Sequence, residues 1–72
     1  MIIFDKLWMT MKEKGVSTYV LREKFNIDSK TIRKLRKDGV VTTFTLSKLC
    51  SALNCKLSDI AEFSPEYQES EK

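Results

Sequence analysis

The stretch IDSKTIRKLRKDG, residues 27–39, decides the fold of this 72-residue chain. It places five cations within eight residues and keeps Ile32 and Leu35 among them. On a helix each residue advances by about 100°. The apolar pair and Thr31 then share one side, and the other side carries the cations, which are Lys30, Arg33, Lys34, Arg36 and Lys37. The pattern predicts a helix with one basic face and one buried face.

Capping residues bound this basic helix at both ends. Asp28 is a favoured N-cap residue, so the helix is expected to run from Ser29 to about Lys37. Gly39 follows, and a glycine commonly closes a helix by adopting the left-handed conformation.

A second helix is predicted directly before the basic one. Ser17 or Thr18 can cap it, and its apolar side carries Val20, Leu21 and Phe25. Asn26 ends it, because asparagine tolerates a left-handed turn. Two helices joined by a tight turn are the parts of a helix-turn-helix, in which the second helix enters the major groove of DNA.

Apolar spacing predicts two further helices outside this pair. The first ends near Gly15 and carries its apolar stripe at i, i+3, i+4 and i+7, on Phe4, Leu7, Trp8 and Met11. The other is expected to begin with Thr43 as its cap and to end at Asn54, and it repeats the same spacing on Leu46, Leu49, Cys50 and Leu53. The segment LSDIAEF allows one or two more helical turns, and the ends MIIF and EFSP are short enough to pair as a two-stranded ribbon.

Charge divides the chain into a basic body and an acidic end. Residues 1–58 contain 12 Lys and Arg against 5 Asp and Glu, whereas residues 59–72 contain 1 Lys against 5 acids. A basic body is typical of a protein that binds a polyanion, although the same excess of positive charge can also simply keep a protein soluble. We expect a single domain over residues 1–65 and a frayed acidic tail over residues 66–72.

The composition excludes several other classes of function. Cys50 and Cys55 are the only thiols and the chain has no histidine, so a four-ligand zinc site would have to be shared between two copies. No cofactor is expected. Without histidine, a glycine-rich phosphate loop or a paired set of carboxylates, the chain is not expected to be an enzyme. It also lacks a signal peptide and a membrane-spanning run, so we expect a cytoplasmic protein without a membrane partner.

From about Leu7 to Phe63 the chain resembles small single-domain Cro/C1-type (XRE-like) helix-turn-helix transcriptional regulators. The resemblance is carried by EKGVSTYVLREKFNIDSKTIRKLRKDG, residues 13–39, and by TLSKLCSALNCKLSDIAEF, residues 45–63. It implies an all-α, five-helix lambda-repressor-like DNA-binding domain. It also implies a homodimeric bacterial regulator, expected to act as a repressor, bound to a palindromic double-stranded DNA operator.

The resemblance also assigns roles to individual positions. The base-contacting positions of the family fall on Ser29, Lys30 and Lys34, with Arg33 beside them. The phosphate-contacting positions lie at the start of the second helix and from the end of the basic helix into the next loop, on Ser17, Thr18, Lys37, Thr42 and Thr43.

Several positions depart from the family pattern. Thr18 stands where glutamine is common, so the usual side-chain bridge to the recognition helix is in doubt. Arg22 stands where a small alanine is common, so either the helix crossing differs or the arginine turns outward. Asn26 replaces the turn glycine. The reading positions carry lysine and serine in place of frequent glutamines, so the operator sequence does not transfer.

Two alternative functions compete with this interpretation. A partner-binding module of the same fold, such as an antitoxin, could use the acidic segment from Glu62 to Lys72 to hold a basic protein. Single-stranded nucleic-acid binding is less favoured, because it uses exposed aromatic rings among the charges and the basic helix has none. No small-molecule pocket is evident: Trp8, Met9 and Met11 fit the core or a dimer surface better than a ligand site.

Overall fold

The computed structural model describes residues 1–65, and the predicted acidic tail at 66–72 lies outside these residues. The described chain forms four α-helices, one 3-10 turn and a two-stranded ribbon. In chain order the elements are β1 (Ile2–Ile3), α1 (Asp5–Lys14), α2 (Thr18–Phe25), α3 (Ser29–Arg36), α4 (Thr43–Leu53), the 3-10 turn (Leu57–Asp59) and β2 (Glu62–Phe63). None of the described helices has the length and apolar character needed to cross a membrane.

One core joins all four helices and the segment before β2. Each helix contributes at least one leucine that is almost fully inaccessible to solvent, and Ile60 joins them from the segment after the 3-10 turn; the six are Leu7, Leu21, Leu35, Leu49, Leu53 and Ile60. A domain of this size buries only about 60% of its unfolded surface. Truncation of any one of these side chains should therefore lower the free energy of unfolding of the whole domain.

Asparagine and glycine end three of the helices as the sequence predicts. Gly15, Asn26 and Asn54 have φ values of 70°, 58° and 51°, and each backbone N–H bonds a carbonyl of the last helical turn. The left-handed conformation costs asparagine less than most residues, which explains why these positions carry it.

Two predicted helix boundaries are wrong by one residue. Thr42, not Thr43, caps α4: its Oγ1 accepts the N–H of Thr45 at 3.2 Å. After α3 the left-handed residue is Asp38, with φ of 55°, and not Gly39. Gly39 instead packs closely against α3, since an added Cβ would lie 3.2 Å from the carbonyl oxygen of Lys34, a tight contact.

The fifth helix implied by the resemblance is absent from residues 1–65, where a single 3-10 turn stands in its place. The Asp59 side chain accepts a hydrogen bond from the N–H of Lys56 at 3.0 Å. The backbone carbonyl of Asp59 accepts one from the hydroxyl of Thr10 at 2.7 Å. The next residue, Ile60, is fully buried. These fixed points turn the chain toward β2 before a second helical turn can form.

The predicted ribbon is confirmed. β1 and β2 pair antiparallel, with Ile2 opposite Phe63 and Ile3 opposite Glu62. The N–H of Ser64 donates to the carbonyl of Met1 at 2.7 Å, which extends the pairing by one residue. The ribbon therefore ties the two ends of the described chain together beside α1.

Candidate nucleic-acid interface

The turn between α2 and α3 is fixed by backbone bonds and by a buried side chain. Asn26 adopts the left-handed conformation, and the N–H of Ile27 donates to the carbonyl of Leu21 at 3.1 Å. The Ile27 side chain is only 3% exposed, so it anchors the turn in the core. The two helices of the predicted helix-turn-helix are therefore held at a defined angle.

Asp28 starts α3 as the sequence predicts. Its Oδ1 accepts the N–H of Thr31 at 2.9 Å. Hydrogen bonds from the side chain and backbone of Thr31 lower the pKa of the Asp28 carboxyl, with smaller contributions from the charges of Lys30 and Lys34. The carboxylate is therefore ionised at neutral pH and serves as a cap at the positive end of the helix dipole.

The two faces of α3 lie as the sequence predicts. Ile32 is 6% exposed and Leu35 is fully buried. The opposite side of the helix carries side chains that are all exposed, namely Ser29, Lys30, Arg33 and Lys34, and Lys37 is exposed at its end. The structure thus brings the four predicted base-contacting residues together on one accessible face.

The cations of this face have no carboxylate partner within residues 1–65. The ion pair found there joins Lys6 to Glu62 at 3.2 Å, away from α3. As far as residues 1–65 are concerned, the charge of this face is therefore available to an external anion.

Arg36 belongs to the basic stretch but has another role. Its guanidinium lies over the ring of Trp8, 4.6 Å from the ring centre, and so joins the end of α3 to α1. Sequence reasoning missed this contact, because the two residues are far apart in the chain and nothing local signals their meeting. Arg36 is therefore a link between helices.

The first predicted phosphate-contacting pair lies at the start of α2. Ser17 caps the helix, and its Oγ accepts the N–H of Val20 at 3.3 Å. The hydroxyl hydrogen of a serine that accepts in this way is still able to donate. Thr18 is the first helical residue, and the N–H groups of a first turn have no partner within the helix.

The second predicted phosphate-contacting pair lies at the start of α4. Thr42 and Thr43 are both exposed, and the hydroxyl of Thr42 is 3.2 Å from that of Thr45. The first turn of α4 also presents backbone N–H groups outward. Two helix N-termini, those of α2 and α4, therefore offer donors suited to oxyanions.

Lys37 completes the predicted set at the C-terminal end of α3, where its N–H bonds the carbonyls of Arg33 and Lys34. Asp38 follows, and its Oδ1 accepts the backbone N–H of Phe4 at 2.8 Å. The end of α3 is thereby joined to the start of α1, across 34 residues of sequence. This long-range bond could not be read from local pattern.

The departures at Arg22 and Asn26 are accommodated in the structure. Arg22 is exposed and lies 6.0 Å from the ring of Tyr19, so it turns outward, away from the contact between α2 and α3. The Nζ of Lys48 on α4 donates to the carbonyl of Asn26 at 3.3 Å and lies over the ring of Phe44. The sequence did not predict this hydrogen bond from α4 to the turn.

The two thiols and the carboxylates form no metal site in the described residues. Cys50 and Cys55 are free, and burial raises the pKa of the Cys55 thiol, with a further contribution from Cys50. No group of three or more His, Cys, Asp or Glu side chains within residues 1–65 is placed to hold a metal ion.

The sequence model of the Cro/C1-type HTH DNA-binding domain matches residues 6–66, which include α2, α3, α4 and all of α1 except its first residue. The chain belongs to this family. The matched range contains both helices of the helix-turn-helix, α2 and α3.

This Cro/C1-type domain is also similar to a solved structure. The crystal structure of the transcriptional regulator VanUg, Form II, aligns with a TM-score of 0.81 and 32% identity. The alignment covers 90% of this chain and 87% of that chain. No curated protein sequence matches.

Proposed function

We propose that this chain is a homodimeric regulator of transcription, most simply a repressor, that binds a specific double-stranded DNA site with α3 in the major groove. The observation that carries the proposal is the exposed basic face of α3, which forms no ion pair within residues 1–65 and is held by buried Ile32 and Leu35 within a domain of the Cro/C1-type family. The similar structure of VanUg, itself a transcriptional regulator, supports the same function.

In this proposal the first two turns of α3 read the bases. The N-terminal residues of a recognition helix lie nearest the base edges. Lys30 and Lys34 can donate to guanine O6 and N7, with Arg33 beside them, and Ser29 can donate to or accept from either base. Each side chain is exposed and forms no ion pair within residues 1–65.

Phosphates on either side of the groove would be held by the two helix N-termini. Ser17 and Thr18 offer a hydroxyl and free N–H groups at the start of α2, and Thr42 and Thr43 offer the same at the start of α4. Lys37 adds a cation at the far end of α3. These contacts fix the orientation of the domain, while sequence selection is left to α3.

A dimer would place two copies of α3 in successive major grooves, about 34–36 Å apart, on an inverted-repeat operator. Occupation of a promoter by such a dimer blocks transcription, which makes repression the simplest outcome. The proposed function places the protein in the bacterial cytoplasm together with the chromosome.

The deciding experiment selects bound duplexes from a random DNA pool at physiological salt with the full chain. We expect an enriched inverted repeat with half-sites about one helical turn apart. The double variant Lys30→Ala/Lys34→Ala should lose the enrichment. Lys12→Ala/Lys14→Ala is the matched control: it removes the same charge from the exposed end of α1 and should select the same sequence.

Failure to enrich any sequence with a folded protein would refute the proposal. It would favour the partner-binding alternative, whose acidic segment extends into residues outside the described part of the chain. Deletion of residues 66–72 tests that alternative: a protein partner should be lost while DNA binding is kept.

A further inference from the structure

The two thiols of the chain lie on either side of the end of α4. Cys50 is in the last turn of the helix, and Cys55 follows Asn54, the left-handed residue that ends it. Both thiols are free and half-buried. The contacts proposed for DNA use neither of them, so the pair is open to another role.

The backbone at the end of α4 brings the two cysteines together. The N–H of Cys55 donates to the carbonyl of Cys50 at 3.1 Å, and the N–H of Asn54 donates to that of Ser51 at 3.3 Å. These bonds form a Schellman motif, whose first and last residues commonly pack their side chains together. With standard bond lengths, the bond between the cysteines keeps their Cα atoms within about 7 Å. Disulfides usually span about 4.4–6.8 Å between Cα atoms, so the backbone is already placed for one.

The side chains of the pair also interact. Burial raises the pKa of the Cys55 thiol, and Cys50 raises it further through its charge and through a side-chain hydrogen bond. Asp59 of the 3-10 turn raises it too, whereas Lys14 of α1 lowers it. Because the thiol form is favoured, Cys55 reacts more slowly at neutral pH than an ordinary cysteine, and the equilibrium of the pair is more informative than its rate.

A surface pocket gives small molecules access to the pair. Its volume is about 560 Å³, and both Cys50 and Cys55 line it. The remaining lining residues are polar, and Lys56 supplies a cation among them. A small polar oxidant can therefore approach the two thiols from one side of the domain.

We propose that Cys50 and Cys55 are a reversible dithiol–disulfide site, oxidised by a low-molecular-weight disulfide. The thiolate of one cysteine attacks the oxidant, whose S–S bond breaks and releases one small thiol. The thiolate of the other cysteine then attacks the protein sulfur of this mixed disulfide and releases the second small thiol. The protein pair loses two electrons and two protons, and the oxidant gains them.

The new bond would join the last turn of α4 to the segment that leads into the 3-10 turn. In the folded domain the backbones of Cys50 and Cys55 are already adjacent. The unfolded chain must instead close a loop of about six residues, which costs entropy. The folded chain should therefore favour the disulfide more strongly than the unfolded chain does, and oxidation should stabilise the fold.

The test equilibrates the full chain with defined ratios of reduced and oxidised glutathione, quenches the exchange with acid and measures intact mass. The folded chain should lose two hydrogens and form no covalent dimer. Its equilibrium constant for disulfide formation should be at least about ten times that of the same chain unfolded in urea. Thermal unfolding of the oxidised chain should show a Tm raised by at least about 5 °C.

Cys50→Ser and Cys55→Ser are the matched controls, because each keeps one thiol at the same site. Each variant should gain one glutathione in place of the internal bond, without the rise in Tm. A native chain that forms no internal disulfide, an equilibrium constant no higher in the folded than in the unfolded chain, covalent dimers as the main product, or a Tm that falls on oxidation would each overturn the proposal. These measurements use no DNA, so their outcome is independent of the proposed function.

Discussion

Substitution of Asp38 tests how the end of α3 is joined to the rest of the domain. Asp38 has a positive φ of 55°, and its Oδ1 accepts the N–H of Phe4 at 2.8 Å. Asp38→Ala leaves that donor unpaired beside a side chain that is only 3% exposed, at a cost of about 1–3 kcal/mol. Alanine in the left-handed conformation adds about 1–2 kcal/mol. The free energy of unfolding should fall by about 2–5 kcal/mol.

Two companion variants separate the contributions. Asp38→Asn keeps an acceptor oxygen and a residue that tolerates this φ, so it should cost less than about 1 kcal/mol. Asp38→Gly loses the hydrogen bond, but glycine tolerates the positive φ. Its free energy of unfolding should therefore lie between those of Asp38→Asn and Asp38→Ala. Urea unfolding measures the series, and Asp38→Ala should lower Tm by at least about 8 °C. Asp38→Ala with native stability, or Asn as damaging as Ala, would refute the reasoning.

Three further predictions concern α3. Lys30→Ala or Lys34→Ala should cost about 1–3 kcal/mol on the selected operator and relax the base preference there; equal losses on all sequences, measured by fluorescence anisotropy, would make them phosphate contacts instead. Lys37→Ala should weaken all sequences alike and reduce the salt slope by about one unit per copy, and an unchanged slope would exclude a phosphate contact. Because the pKa of Asp28 is lowered in the folded state, its stabilising effect is present above the unfolded pKa of about 3.9 and is lost as pH falls through the lower folded pKa. Urea unfolding should therefore show that Asp28→Asn loses less stability between about pH 5 and pH 2 than the native chain does. Equal losses would contradict the role of the ionised Asp28 carboxylate as the helix cap.

The helix-turn-helix itself could be predicted because its signals are local. The apolar spacing around Ile32 and Leu35, the cap at Asp28 and the turn at Asn26 each act within one or two helical turns. The structure reproduces all of them. The nine predicted DNA-contacting residues lie at the surface or at helix starts as expected, but their roles remain predictions.

The parts that were missed depend on residues distant in sequence. Asp38, and not Gly39, is the left-handed residue, and in this conformation its carboxylate accepts the hydrogen bond from the backbone N–H of Phe4. The contact of Arg36 with Trp8 forms because the fold brings the end of α3 beside α1. The expected fifth helix is cut to one 3-10 turn by the contact of Thr10 with the Asp59 carbonyl. In each case a tertiary contact overrides a local preference.

The ribbon between β1 and β2 has a consequence for how the domain folds. Its outermost bonds join residues 63 positions apart, whereas the helices and their caps form between near neighbours. Closing so long a loop is entropically costly, so local helical contacts should form earlier in the folding reaction and the ribbon last. With few bonds and an exposed edge, the ribbon should also be the first element to open in native-state hydrogen exchange.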